Sequence, residues 1–399
     1  MITKPILELF YDAAHIQRWN DHIRPQGFTE LDKQAQKMIT AYVIAKYEET
    51  DKGASIDWVK LIEGGIFEFL HRIVLTDIKP PIFHKLMSEH GKDLNRWVLG
   101  QLKNKIEQVK GDFYYKFEEY LNNPDYSVLE KKILKASHYL ATNWEFQIIY
   151  NLNSNVFGIN ETKEKIENEI EEHYHLVGVQ KIGLGKKTKN FLDLVSQLRF
   201  QKRWAHSPRL PETSVMGHML IVAMISYLCS IELCACKTRI RNNYFAGLFH
   251  DLPEVLTRDI ISPVKKSVQG LEELVKKIEN AQLEEKIFPL LPLSWHEEIK
   301  YYVEDEFESK IVENGTKKIV TSDEINKNYN KDEFKPLDGE IIKACDHLSA
   351  YIEASLSISH GITSHHLREA VDELYKKYAD RNIASINFGQ LFEYFKPNN

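Results

Sequence analysis

Cysteine is scarce in this 399-residue chain: there are four, at positions 229, 234, 236 and 345, and three of them crowd one apolar stretch. That spacing excludes a disulfide framework, in which cysteines spread along a short chain substitute for a missing core. Cys234-Ala-Cys236 offers two soft donors, but its surroundings favour small apolar residues inside a helix. An excess of positive charge is also missing: 52 Lys and Arg stand against 58 Asp and Glu, a formal net charge of −6. Such a chain has no general attraction for nucleic acid or an anionic membrane, although a local basic pocket for one phosphate group is compatible with it. No run approaches the roughly 18 uninterrupted apolar residues of a membrane span. The opening MITKPILELFYDAAHIQRW has no basic segment leading into an apolar one, so no secretory signal is expected. These absences together fit a cytoplasmic protein. Alternating strand patterns are missing as well.

What is present is helical periodicity. Apolar residues recur at three- and four-residue intervals in Leu129–Ile149, Met219–Leu233 and Ile341–Ile358, the signature of helices that bury one face. Glu/Lys pairs at helical spacing mark solvated faces in Lys163–Glu172 and Leu271–Lys286. The fold class expected is all-α. One short strand is expected at Lys317–Thr321, after the turn signal Asn314-Gly315. It lies within the polar stretch Glu304–Pro336, read as a long surface insertion. The length suits two domains, each large enough to bury its own core. Polar sequence over Gly158–Glu172 and glycine-containing sequence over Val177–Lys187 place the domains at 1–170 and 185–399.

The two halves align with each other. Arg18-Trp19, followed by His22-Ile23-Arg24 and Lys33, falls opposite Arg203-Trp204, Ser207-Pro208-Arg209 and His218 at an offset of 185. Gly65–Ile82 lies on Gly247–Val264 at an offset of 182, matching Asp77-Ile78 to Asp259-Ile260 and Pro81 to Pro263. Lys132–Glu145 lies on Glu340–Glu353 at an offset of 208. Shared apolar periodicity does not explain matched Arg-Trp, Asp-Ile and Pro positions, so the halves read as two copies of one helical fold.

Only the second copy carries a set of metal donors. His218, the adjacent pair His250-Asp251 in GLFHDLPEVL, and Asp346 in IIKACDHLSAY sit in otherwise apolar helices, and neutral imidazoles with carboxylates are ligands for a divalent ion. The first copy has Lys33, Glu68-Phe69 and His138 at those positions. A cation and a phenyl ring cannot rebuild that donor set, so the first domain reads as degenerate and non-catalytic.

The set Arg-Trp, His fourteen residues later, HDLPEVLTRDIISPVK, then Asp in an apolar helix resembles the HD superfamily of metal-dependent phosphohydrolases, and within it the bacterial 5′-deoxynucleotidase branch. The resemblance covers roughly residues 195–360. It implies tandem HD-type helical bundles, the first degenerate, and one divalent ion on His218, His250, Asp251 and Asp346, with Co, Mn, Mg, Zn, Fe and Ni all admissible. By the same resemblance Glu254 positions or activates the attacking water and Asp259 acts as acid or base at the leaving oxygen. Arg203 would bind phosphate through its planar fork, Trp204 would pack near sugar or base, and Thr257 and Lys265 would lie near the phosphate. Trp204 and Asp259 have counterparts in the degenerate copy, Trp19 and Asp77, so a purely structural role competes for both. The insertion before Asp346 is longer than usual in the family, and the acidic neighbour expected before the first ligand histidine is replaced by Val215-Met216-Gly217.

The leading function is hydrolysis of (deoxy)nucleoside 5′-monophosphates, which implies a small nucleotide as partner rather than nucleic acid or membrane. A nucleoside triphosphate triphosphohydrolase or a phosphodiesterase is the second reading; the motif region offers only Arg203, Arg209, Arg258, Lys265 and Lys266 to hold further phosphates. The third is a nucleotide-binding regulatory protein. The repeat suggests an intrachain pseudo-dimer and leaves a homo-oligomer open.

Overall fold

The computed structural model describes residues 1–76, 78–205, 207–258, 260 and 268–397, and of Pro80 and Pro81 the backbone. Among these residues the chain is predominantly helical and forms two compact units, Met1–Gly183 and Leu184–Asn399.

The first unit holds α1 (Lys4–Asp12), α2 (Glu30–Lys52), α3 (Trp58–Leu75), α4 (Pro80–Ile106), α5 (Phe113–Asn122), α6 (Val128–Leu152), α7 (Ile159–Glu171) and α8 (Val177–Gly183). Its central element is α2, buried from Glu30 to Glu48. The Thr29 side chain caps it by accepting from the Asp32 N–H, and Gly53, at φ 67°, closes it in the left-handed conformation. Packed all round, α2 carries charged residues inward, and buried charge requires partners. Arg18 supplies them: its Nε donates to Glu145 Oε2 at 2.8 Å and its NH1 to Glu30 Oε2 at 2.9 Å. Burial opposes the charge on Glu30, but Arg18, Lys33 and Arg72 overcome it and hold its carboxyl at about 2. A carboxyl whose folded pKa is depressed stabilises the fold above its ordinary value near 4.5 and loses that contribution as pH falls toward about 2. Acid should therefore remove on the order of 3 kcal/mol at this residue. Chemical denaturation at pH 6, 4 and 2.5 checks this: the Glu30→Gln variant should show a markedly flatter acid dependence than the wild type.

The second unit holds α9 (Lys187–Val195), α10 (Val215–Glu232), α11 (Lys237–Phe249), α12 (Glu254–Thr257), α13 (Leu271–Gln282), α14 (His296–Val303), α15 (Ser322–Glu324), α16 (Gly339–Ser359), α17 (His365–Tyr378) and α18 (Phe388–Glu393). Helix α10 is long and apolar enough to cross a membrane by composition, yet 94% of it is buried within the unit. It is apolar on every face because α11 and α16 pack around it. The Ser214 hydroxyl caps it through the Gly217 N–H at 2.9 Å. Where α11 crosses it, a Cβ on Gly247 would stand 3.0 Å from Ala223 Cα. Cys234 and Cys236 are not inside a helix: α10 stops at Glu232, Cys234 is exposed at φ 50° in the turn, and Cys236 caps α11.

Local geometry repeats between the units. Gln17 bridges Thr29 as Lys202 bridges Ser214, in the antiparallel sense. The Arg18 N–H donates to Phe28 O and the Arg203 N–H to Thr213 O. Trp19 and Trp204 both have positive φ, 55° and 58°, as do Thr76 and Arg258, 56° and 64°. Gly65 abuts Met38 where Gly247 abuts Ala223. Each pair is related by the offset read from the sequence. Asp77, Asp259 and Pro263 lie outside the described residues.

The segment expected as a surface insertion has a different character. Strand β1 (Lys310–Glu313) pairs antiparallel with β2 (Thr316–Ile319) around Asn314-Gly315, so the strand begins earlier than expected and has a partner. Ile311, Ser322 and Ile325 are fully buried: the segment has a small core of its own, which its polar composition hides. Strands β3 (Asn382–Ile383) and β4 (Ile386–Asn387) form a second small hairpin. The stem of the insertion presses on the start of α16, where a Cβ on Gly339 would lie 2.3 Å from the Glu308 backbone. Gly339→Ala should therefore cost about 1–3 kcal/mol. Thermal denaturation checks this; an unchanged melting temperature would mean that the stem yields freely.

Candidate metal centre and active site

Three helices deliver the donors. His218 lies in the first turn of α10, Asp346 near the middle of α16, and His250-Asp251 just past α11. At that end the hydrogen-bond ladder tightens: Leu252 N–H bonds to Phe249 O and Glu254 N–H to Asp251 O, both three residues back. Pro253, which has no N–H, follows the pair. The tight turn aims two consecutive side chains at one point and restarts the chain as α12 with Glu254. His250 and Glu254 therefore belong to different short elements rather than to one continuous helical face.

His218 Nε2 lies 2.9 Å from Asp346 Oδ1 and 4.0 Å from Asp251 Oδ2. Asp251 Oδ2 is 3.2 Å from His250 Nε2. Donor atoms of His218, His250 and Asp346 all fall within 4.8 Å of one another. Neighbouring donors around an ion with bonds of about 2.1 Å sit roughly 3 Å or more apart, so the spacing suits a single divalent ion. The tautomers suit it too. His250 Nδ1 donates to Gly247 O at 2.8 Å, so Nε2 is the nitrogen that would face an ion, and it is buried without a hydrogen bond of acceptable geometry. His218 Nδ1 meets Ser349 Oγ at 3.1 Å.

The electrostatics point the same way. Burial resists charge on His250, but Asp251 and Asp346 outweigh it and hold the ring up at about 9. Burial and the Arg203 charge push His218 down. Asp346 is held far below the ordinary carboxylate range: burial opposes this, and His218, Arg203 and His250 prevail. Donors that stabilise positive charge among them are what a cation site requires.

Arg203 faces the same point. Its NH1 is 3.7 Å from Asp251 Oδ2 and its NH2 4.0 Å from Asp346 Oδ1. Trp204 is partly buried and donates from Nε1 to Glu353 Oε2 at 3.0 Å. Glu254 is buried, and Gln201 donates to its carbonyl at 3.2 Å. Thr257 sends its hydroxyl toward Glu279 Oε1, at 3.5 Å. Asp259 and Lys265 lie outside the described residues. His347 binds Tyr378 OH through Nδ1 at 2.7 Å, engaged apart from its neighbour Asp346.

Sequence reasoning missed two features. The first is Glu353, fully buried two helical turns beyond Asp346. It accepts from Trp204 and from Thr213 Oγ1 at 2.7 Å, and lies 3.5 Å from Arg203 Nε, 3.3 Å from Arg209 NH1 and 3.8 Å from His218 Nδ1. Burial opposes its charge, but Arg209 and Arg203 hold it at about 2. The signal was available, because Glu145 and Glu353 end the third repeat block, and Glu145 likewise accepts from Arg18 and Trp19. Glu353→Gln should lower kcat/KM by about 10- to 100-fold, mostly through KM, because Arg203 loses the carboxylate that orients it. Steady-state kinetics checks this; a change confined to kcat would contradict it. The second feature is the insertion stem. The Phe307 ring lies 6.3 Å from the His250 ring, Lys343 Nζ sits 5.6 Å from the Phe307 centroid, and burial raises the pKa of neighbouring Glu306. No motif marks that stem.

A helical unit that brings donor atoms of His218, His250 and Asp346 together, with Asp251 and Arg203 beside them, could hold one divalent ion, and comparison with known proteins points to a class. Residues 195–375 match the HD domain family, and this part of the chain is an HD domain of the metal-dependent phosphohydrolase kind. The chain is 24% identical over 210 residues to a 5′-deoxynucleotidase of Photorhabdus laumondii, covering 50% of this chain and 88% of that one. It is 26% identical over 200 residues to the 4′-phosphooxetanocin A phosphatase of Priestia megaterium, covering 47% and 86%. A 5′-deoxynucleotidase of Pasteurella multocida is 20% identical over 186 residues, 44% and 77%.

Proposed function

We propose that the second unit hydrolyses the phosphomonoester of (deoxy)nucleoside 5′-monophosphates, and that the first unit is a degenerate copy without hydrolytic activity. The convergence of His218, His250 and Asp346, with Asp251 beside the two histidines and Arg203 beside both carboxylates, carries the reading. The names of the relatives, which are nucleotidases and a phosphatase, support a monoester substrate. The repeated bridges, caps and positive-φ residues support the duplication.

A divalent ion on the four donors would polarise a phosphate oxygen and ready a water for attack. Arg203 holds the remaining phosphate oxygens through its fork, and Glu353 fixes that arginine and Trp204. Glu254 accepts the proton of the attacking water as its oxygen bonds to phosphorus. The bond from phosphorus to the 5′-oxygen breaks with its electron pair, and the alcohol takes a proton there, a role that suits Asp259. The products are orthophosphate and a nucleoside. The test is phosphate release from ribo- and deoxynucleoside mono-, di- and triphosphates with Mn, Co, Mg, Fe, Ni or Zn and with EDTA. Release from monophosphates, absent with EDTA, is the expected result. Inorganic triphosphate released from triphosphates alone would overturn the monoesterase reading.

A further inference from the structure

The first unit does not replace the metal donors with inert residues. At the equivalent positions it gathers cations. Lys33 stands where the second unit has His218, and Arg72 stands where it has Glu254. Lys37 is fully buried one turn along α2 and pairs with Glu68, which also accepts from Tyr120 OH at 2.6 Å. Arg18 keeps the carboxylate clamp that Arg203 has. Arg72 Nε lies 3.8 Å from Glu30 Oε2.

Among the described residues Lys33 stands apart in having no ion-pair contact, although Glu30 and Glu145 act on it at longer range. Three carboxylates, Glu30, Glu68 and Glu145, face Arg18, Arg72 and Lys37 in ion pairs. Lys33 is fully buried and, among the described residues, its ammonium bonds only to the His138 ring. His138 is the counterpart of Asp346, so the lysine has lost the carboxylate that this position supplies in the other unit. Burial strongly disfavours the charged forms of both Lys33 and His138. An anion beside Lys33 would reverse that balance and favour its ammonium, which has donors beyond the one turned to His138. The cluster is not sealed: Glu68 is 32%, Arg72 18% and Arg18 11% exposed in their side chains.

Resting on the reading that the first unit is a copy of the second, we infer that this cluster is a metal-independent binding site for a phosphomonoester, a nucleoside 5′-phosphate, with Lys33 supplying the positive charge that the metal centre supplies in the second unit. Without the acid–base carboxylate, replaced by Arg72, and without donors for an ion, bound phosphate is held and not cleaved. The first unit thereby becomes a nucleotide-responsive module on an enzyme of nucleotide phosphates.

The test uses the full chain carrying Arg203→Ala, which removes the phosphate-binding arginine of the second unit, in EDTA, with thymidine 5′-phosphate as ligand in equilibrium dialysis. One saturable site per chain is expected. Adding Lys33→Met should weaken it by on the order of 10- to 100-fold, and Arg72→Gln should weaken it independently. Circular dichroism shows whether each variant is folded; if Lys33→Met is not, Arg72→Gln decides. Absence of saturable binding, or binding unchanged in the folded variants, overturns the inference. Hydrolysis by the wild type with metal is a separate readout, so failure of the nucleotidase reading and failure of this one leave different results.

Discussion

Asp251→Ala is expected to abolish metal-dependent phosphate release, lowering kcat/KM by on the order of a thousandfold or more. Asp251 is the donor nearest His250 and also faces Arg203. Its removal takes away one of two anionic donors, and the remaining imidazoles compete for protons rather than for a cation. The loss of that carboxylate also frees Arg203 from one of its restraints, so substrate binding should not fall in proportion. Isothermal titration with Mn checks the cause: affinity should fall with activity. Full metal affinity with lost activity would move Asp251 from holding the ion to another role.

Glu254→Gln should lower kcat by about 10²- to 10⁴-fold while metal affinity stays near that of the wild type. The amide fills the same volume at a buried position but cannot take a proton. Its backbone stays tied to Gln201 through the carbonyl, so the segment before Arg203 keeps its place. KM should change little, because no group that contacts the phosphate is altered. A variant with normal kcat would leave the water without an assigned base and shift attention to Asp259.

Much of this was legible in the sequence because each relevant residue violates its surroundings. His218, His250 and Asp346 are polar residues in apolar surroundings, and the matching offsets are the ground on which the duplication is proposed. The helical fold followed from periodicity. Other features were hidden for physical reasons. The break between α11 and α12 depends on where the hydrogen-bond ladder tightens, which residue types alone do not specify beyond Pro253. Glu353 carries no motif of its own, and its burial arises only when Arg203, Arg209 and Thr213 fold onto it. The stem Glu306-Phe307 reaches His250 from a polar segment whose small core includes Ile311 and Ile325. Cys234 and Cys236 were misplaced because nothing apolar distinguishes the last turn of α10 from the turn that follows.

The central claim is that one divalent metal centre, built by the second unit alone, performs the hydrolysis. Metal content per chain measured together with monophosphate hydrolysis tests it most directly, in the wild type, in Asp251→Ala and in Phe69→Leu, the last altering the residue of the first unit that aligns with Asp251. The account predicts one ion per chain and metal-dependent turnover in the wild type and in Phe69→Leu, with both lost in Asp251→Ala. Ion and turnover retained in Asp251→Ala, or lost in a folded Phe69→Leu, would contradict it.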